Sequence, residues 1–452
     1  MSKKRNIIIA PNEDGFGTSA WVVMLAKELS RQPNVGNVKV VVATDMREKF
    51  HSDKYEDTSN ISLIRLQGQP NKIEIPKRQG AVDIRATIEK CIMTYAQSRV
   101  EYATALISEK VIDDTDLIID FGVPQLMRAA YGRRTVMVFD HAWSMSLERI
   151  VSSDNSQDLD RSDLISTLEN MRNDEALTQT VILFPEPICP FDYHGYWRRL
   201  LGTVPEVIPG VLGGPLRTLA YVHDAQYETI HSAFVAGKDE QLQESYKLAK
   251  TYARQIIGID NDERTLFVSG GGTPVWDDIL RLMLDEYLAK APNYNVVIFN
   301  PTEAKRRGIE LNTETIALNG MQSTIQRAKW DRCNKITFIE TLAGETHHVL
   351  FAAFDLVLTR AGGGTVNNAI AFRVPLILVE EPGMWQVEQI RRSCVRMRMA
   401  EEVSLENFMQ NSRQCVEDRN GELKDLESQK INMQNIPNHG ELWLSHQLQI
   451  LV

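Results

Sequence analysis

Short apolar runs alternate with helix-period segments along most of the chain. Asn6–Ala10 predicts a strand, and Ser19–Ser30, with Trp21, Met24, Leu25 and Leu29 on one face, predicts a helix. Val38–Thr44 predicts the next strand, which makes a βαβ opening. Further strands are expected at Ile61–Leu66, Asp116–Asp120, Thr135–Phe139 and Val181–Phe184, with a helical stretch from about Arg85 to Ser108. Such alternation argues for a parallel sheet covered by helices. The polar stretch 147–180 lacks strand character and reads as a helical insertion on the surface of a first domain, residues 1–207. Pro and Gly then crowd into Pro205–Pro215, and because they supply stiff turns without regular hydrogen bonding, 208–217 reads as a linker. A helical region, Leu219–Ile257, leads into a second series: strand Thr265–Ser269, helix Val275–Lys290, and strands Val296–Phe299, Ile336–Ile339, Asp355–Thr359 and Leu376–Val379. The expected class is α/β, two Rossmann-like domains in tandem, the second spanning 218–435.

Composition narrows the partners. The 452 residues are 43% hydrophobic and 24% charged, ordinary for a globular chain of two or three domains. Fifty Lys and Arg against 60 Asp and Glu give a net charge of -10, which disfavours a sequence-independent nucleic-acid binder but leaves room for a small anion at a local site. No stretch approaches the ~18–20 apolar residues of a membrane span, and Asn6–Ile9 is too short for a signal peptide. The expected location is the cytoplasm, with peripheral membrane contact left open. Five cysteines without a CxxC suggest neither a zinc site nor a disulfide framework.

The strongest motif is Arg360-Ala361-Gly362-Gly363-Gly364-Thr365-Val366-Asn367-Asn368, after the strand FDLVLT and opening a helix. Three glycines allow close backbone approach, the helix start offers free N–H groups and a positive dipole end, and Arg360 adds a full charge, a combination suited to a diphosphate. Ser269-Gly270-Gly271-Gly272-Thr273-Pro274 follows the same logic, with Thr273 a natural N-cap and Pro274 a natural first helical residue. At the same predicted sheet edge, Glu380-Glu381-Pro382-Gly383-Met384-Trp385-Gln386-Val387-Glu388-Gln389 offers amides and carboxylates that can hold sugar hydroxyls. The aromatic cluster Phe191–Trp197 could stack on a sugar, touch a membrane surface or pack the domain junction. The pairs Asp114/Asp116 and Asp260/Asp262 precede strands and look like turn residues.

The run RAGGGTVNNAIAFRVPLILVEEPGMWQVEQIRRS, with VSGGGTP and the early GFGTSA loop, resembles the GT-B glycosyltransferases, in particular the family of the bacterial N-acetylglucosaminyltransferase that makes the peptidoglycan lipid precursor. The similarity covers about Thr265–Val403. It implies a GT-B fold whose two parallel sheets face a cleft, an acceptor-binding N-terminal domain, a C-terminal domain that binds a UDP-sugar, and residues 436–452 as a helix returning to the first domain. Carried over, the family's helix start falls on Arg360, Ala361, Gly362, Gly363, Gly364, Thr365 and Asn368, so that Gly363, Gly364 and Thr365 would contact the diphosphate, joined by Arg360 and by Gly271, Gly272 and Thr273 of the other glycine loop, while Phe338, Ile339 and Leu342 would face the uracil. Gln386, Glu388 and Gln389 would hold the sugar. Asn368 stands where the family has a ribose-binding Glu. The family's loop histidine is also missing, its place taken by Asp14, Gly15, Gly17 and Thr18, so the acceptor proton would go to Asp14 or Glu13, or to His141 at the end of a first-domain strand.

The sequence thus leads to a glycosyltransferase that moves a sugar from a nucleoside-diphosphate donor, UDP-linked with UDP-N-acetylglucosamine as one candidate, to an unidentified acceptor. Inversion and independence of metals or cofactors follow from the resemblance. The two departures, Asn368 and the absent histidine, support the alternative of a catalytically silent GT-B protein that binds a nucleotide sugar or a protein partner. A GT-B epimerase would need acidic residues at the sugar that the sequence does not locate.

Overall fold

In the computed structural model the described residues are 4–11, 16–43, 59–66, 77–78, 81–83, 85–86, 88–90, 95, 100, 104, 107, 111–121, 130, 132–138, 143–153, 161–190, 192–223, 225, 227–235, 239–269, 276–299, 306, 308–318, 321–328, 335–339 and 345–451. They form two compact units. One comprises Met1–Ile208, Pro382–Gln389 and Trp443–Val452, the other Pro209–Glu381 and Ile390–Leu442.

The first unit is built on β1 (Arg5–Ala10), β2 (Val35–Ala43), β3 (Ile61–Leu66), β6 (Leu117–Asp120), β7 (Arg134–Val138), β8 (Thr180–Pro185) and β9 (Glu206–Ile208), with a separate hairpin of β4 (Lys77–Arg78) and β5 (Ala81–Val82). The seven strands are parallel, in the order β3-β2-β1-β6-β7-β8-β9. Ile7, Ile8 and Ile9 and their counterparts Ile118 and Ile119 are wholly buried, as strands covered on both faces must be. At the start of the strands, Asp116 accepts the Asn6 N–H at 2.9 Å and Asp114 takes Lys39 Nζ at 2.5 Å, so these aspartates are turn residues that fix strand ends. The Lys39 hydrogen bond also lowers the Asp114 pKa.

One sequence expectation changes here. The described part of the polar stretch 147–180 is helical, as expected, but it is packed rather than appended to the surface. Helices Trp143–Ser153 and Arg161–Glu175 form the connection between β7 and β8, and the second buries Leu164, Leu168, Met171, Asp174 and Glu175. It reads as polar because its outward positions are polar or charged and because two of its buried positions, Asp174 and Glu175, are acidic as well. The aromatic cluster packs, in keeping with the packing alternative: helix Asp192–Leu201 buries Tyr193, Tyr196 and Trp197, and Tyr193 lies 5.7 Å from the Trp385 ring.

The second unit contains β10 (Thr265–Ser269), β11 (Asn295–Phe299), β12 (Leu311–Leu318), β13 (Met321–Ala328), β14 (Ile336–Ile339), β15 (Leu356–Thr359), β16 (Leu376–Val379) and β17 (Ala400–Val403). The order is β12-β13-β14-β11-β10-β15-β16-β17, with β14 to β17 parallel and the β12–β13 hairpin appended antiparallel on β14. Strand order reverses at β10, so the connections leaving β10 and β15 diverge to opposite sides, the geometry in which open α/β sheets bind ligands beyond the carboxyl ends of their strands. The amino ends of the same two strands are fixed by the buried Arg254. It donates to the Ala353, Asp260 and Asn261 carbonyls and at 2.7 Å to Asp355, whose other Oδ2 bond is from the Thr265 N–H.

The Pro/Gly-rich segment is the other revision. Residues 210–214 are buried in the second unit and tethered at every position. Gly210 has φ +74, and a Cβ there would lie 2.1 Å from the Pro437 carbonyl oxygen, the group that accepts the Val211 N–H at 2.9 Å. Asn367 receives the Leu212 N–H at 3.0 Å and donates to its carbonyl at 2.8 Å, completing both backbone groups like a strand neighbour. The Gly213 N–H goes to Glu441 and the Gly214 N–H to His348 Nε2, each at 2.9 Å. A run read from its composition as a linker is therefore a strap folded into the interior. Among the described residues no helix is long and apolar enough to cross a membrane.

Candidate functional site

The site grows from the carboxyl end of β15. Leu356–Thr359 is a buried strand, and Arg360, Ala361 and Gly362 turn the chain into the helix Gly363–Ala371. Gly362 is the N-cap, extended at φ -71 and ψ 128, with no side-chain hydrogen bond to the first turn. The N-cap residue therefore brings no carboxylate or hydroxyl to the N–H groups of that turn, and among the described residues the dipole end is left for an external anion. Gly362, Gly363, Gly364 and Thr365 are half-buried, whereas Val366 to Ala371 are buried. One helix presents its first turn outward and packs its second.

Arg360 is not a free cation. Its Nη1 donates to Glu381 Oε2 at 2.8 Å, and the Glu381 side chain is only 2% exposed. Glu381 follows β16, the strand beside β15. The other edge of the guanidinium lies along the N-cap, since a Cβ on Gly362 would stand 3.7 Å from Arg360 Nε and 3.9 Å from Nη2. Arg360 Nε and Glu381 Oε1, and the hydroxyl of Thr359 one residue before the arginine, are buried and find no partner among the described residues. Such atoms are unusual in a folded interior, where polar groups are nearly always satisfied.

Asn368 faces the opposite way. It is 2% exposed, and its Oδ1 receives His348 Nδ1 at 2.7 Å and Asn367 Nδ2 at 3.3 Å. Because His348 Nε2 accepts the Gly214 N–H, the ring carries its proton on Nδ1, which donates to Asn368. The amide at the family's ribose position thus belongs to the anchorage of the strap. Phe338 and Ile339 sit inside β14, 0% and 1% exposed. Gln386, Glu388 and Gln389 occupy the first turns of the half-exposed helix Trp385–Arg396 after β16, where the Glu388 N–H bonds the Met384 carbonyl. Gly17 and Thr18 lie in the helix Phe16–Ser30, which begins three residues before the predicted start. Glu13, Asp14, Gly15, His141, Gly271, Gly272, Thr273 and Leu342 fall outside the described residues. Among the described residues no group of three or more His, Cys, Asp or Glu side chains is placed to hold a metal ion.

Sequence reasoning assigned no partner to Arg360 and no role to Asn367 or His348. The signal for the first was the acidic end of PLILVEE, one strand from the arginine. Nothing local marks the other two, whose partners at Leu212 and Gly214 are 155 and 134 residues away.

At the level of sequence, no protein-family model and no curated protein matches the chain. Solved structures match over nearly its whole length. Phytolacca americana UGT2, complexed with UDP-2fluoro-glucose and pterostilbene, is 13% identical with a TM-score of 0.54 and covers 98% of this chain and 99% of its own. CalG4, the calicheamicin glycosyltransferase, is also 13% identical, TM-score 0.52, over 100% and 98%. The chain has the GT-B fold. A third GT-B neighbour, the glycosyltransferase SsfS6 of Streptomyces sp. SF2575 complexed with thymidine diphosphate, is 11% identical, TM-score 0.52, over 98% and 99%. At such identities the likeness fixes the GT-B architecture and leaves the chemistry to the residues of the site.

Proposed function

We propose that the protein is a glycosyltransferase that takes a sugar from a nucleoside-diphosphate donor, UDP-linked, and passes it to an acceptor held by the first unit. One observation carries the reading: the uncapped first turn of Gly363–Ala371, at the carboxyl edge of a GT-B sheet, with the Arg360 guanidinium lying against its N-cap. The diphosphate is the leaving group, and its charge develops as the bond from the anomeric carbon to the β-phosphate oxygen breaks. The N–H groups of Gly363, Gly364 and Thr365 and the cation at Arg360 stabilise that charge without a metal. The loop of Gly271, Gly272 and Thr273 serves the same anion, and Leu342 borders the base beyond the end of β14, where Phe338 and Ile339 are too deeply buried to touch it. Gln386, Glu388 and Gln389 orient the sugar. In a single inverting displacement the acceptor hydroxyl attacks the opposite face of the anomeric carbon, and its proton passes to Asp14, Glu13 or His141.

Thermal unfolding of the folded protein with UDP, GDP, dTDP, ADP and UDP-N-acetylglucosamine tests this, because a ligand that binds only the folded state stabilises it, by ~2.7 kcal/mol at a hundred times Kd. Selective stabilisation by UDP compounds, followed by UDP release when candidate acceptors are added, is the expected result. The inward-facing Asn368 favours one other reading, a GT-B protein that binds the nucleotide sugar without transferring it. Stabilisation with no turnover against any acceptor assigns that reading instead.

A further inference from the structure

Arg360 offers a carboxylate or phosphate two distinct edges, and the fold has already committed one of them. Its Nη1 is taken by Glu381 at 2.8 Å, while Nε is buried without a partner, and Nε and Nη2 are the two atoms nearest a Cβ placed on Gly362. The Nε/Nη2 edge is the planar fork that matches two phosphate oxygens, and it runs along the N-cap of a nine-residue helix whose N-cap residue, a glycine, has no side chain to cap it. A carboxylate next to a phosphate site weakens it by simple electrostatics, yet here one is buried at that position with Oε2 on the arginine and Oε1 unpartnered.

We infer that Glu381 is a positioning residue of the donor site: by holding Nη1 it turns the Nε/Nη2 fork of Arg360 toward a phosphoryl group seated at the Gly362–Thr365 turn. The inference rests on the donor-site reading above. It also explains why a site for anions contains a buried anion. Without Glu381 the guanidinium keeps its charge and loses its direction, and bidentate contact is what separates this arginine from a mobile point charge.

The two accounts predict opposite signs. If Glu381 acts only through its charge, its removal strengthens phosphate binding; if it positions Arg360, removal weakens it. The test measures affinity for inorganic pyrophosphate, UDP and uridine by calorimetry in the wild type, Glu381→Ala, Glu381→Gln and Arg360→Lys. Glu381→Ala is expected to lose about tenfold toward pyrophosphate and UDP and nothing toward uridine. Glu381→Gln, whose amide oxygen still accepts from Nη1 while the charge is gone, recovers wild-type affinity or better. Arg360→Lys, charged but unforked, stays about tenfold weak.

A guanidinium deprived of its carboxylate can disturb folding, so Gly362→Ala supplies an independent arm. Its φ of -71 suits alanine and its Cβ meets Arg360 at ordinary contact distance, yet the methyl covers the fork. Its thermal midpoint should match the wild type while pyrophosphate and UDP binding fall about tenfold. Unchanged or tighter pyrophosphate binding in folded Glu381→Ala, or unchanged binding in Gly362→Ala, overturns the inference and leaves the glycosyltransferase reading intact. Glu381-dependent pyrophosphate binding that UDP and UDP-N-acetylglucosamine do not improve upholds the fork and overturns the nucleotide-sugar reading.

Discussion

Gly210 and Gly202 share a left-handed backbone, φ +74 and +70, but differ in what surrounds them. A methyl group on Gly202 meets nothing within 4 Å, so Gly202→Ala should cost only the backbone strain, about 1 kcal/mol. The same change at Gly210 drives a Cβ into the Pro437 carbonyl, which is fixed by its bond to Val211, and should cost more than about 3 kcal/mol. Midpoints of thermal unfolding for the two variants, measured side by side, separate strain from collision. The sequence identified this run as special but not why. Pro and Gly announce an irregular backbone, and whether that backbone is solvated or buried is decided by His348, Asn367, Pro437 and Glu441, remote residues that no local pattern connects to it. Arg360 shows the same limit: the arginine at the Gly-rich turn was legible from residue type and spacing, whereas its pairing with Glu381 depends on β15 and β16 being neighbours.

Among the elements, the helix Arg161–Glu175 carries a feature with a definite pH signature. Glu175 is buried, and its Oε1 accepts the Ser144 N–H at 3.1 Å while Oε2 accepts the Ser144 hydroxyl at 2.7 Å and the Tyr196 hydroxyl. Desolvation raises its pKa, outweighing the hydrogen bonds from Tyr196 and Ser144 that favour the anion. A carboxyl group whose folded pKa lies above its unfolded value, about 4.3, stabilises the fold fully below that value and loses the contribution as pH rises through the folded pKa. The neutral variant Glu175→Gln should therefore gain on the wild type as pH rises from 4.5 to 8, apart from a constant offset for the altered hydrogen bonds. Parallel curves for the two proteins would remove Glu175 from the account. Elements were legible where burial makes them uniform: β1, β10, β15 and β16 are short apolar runs because both faces are covered. Three kinds escaped. β17, Ala400–Val403, contains two glutamates, β9 has three residues, and the β12–β13 hairpin surrounds an Asn319-Gly320 pair whose turn signal went unused.

Across the whole molecule, each unit is assembled from segments far apart in the chain. The first takes Trp443–Val452 as well as its N-terminal 208 residues, with Arg134 donating to the Leu451 carbonyl, and the second closes its strap on Pro437 and Glu441. A chain ending at residue 436 should lose more than its last helix. It removes Leu444 and Leu448, both buried, together with the acceptors for Val211 and Gly213, so protease resistance should fall in the strap as well as at the new terminus. Fragment mapping by limited proteolysis checks this, and cleavage confined to the new terminus would contradict it. The strap also sets a timetable. Domains made on the ribosome ordinarily fold from the N-terminus onward as they emerge, but Val211 and Gly213 cannot find their acceptors until Pro437 and Glu441 have been translated, in the latter case 228 residues later. Translation that stops short of Pro437 therefore releases a product with unfinished backbone around Val211 and Gly213, the kind of exposed segment on which chaperones and proteases act.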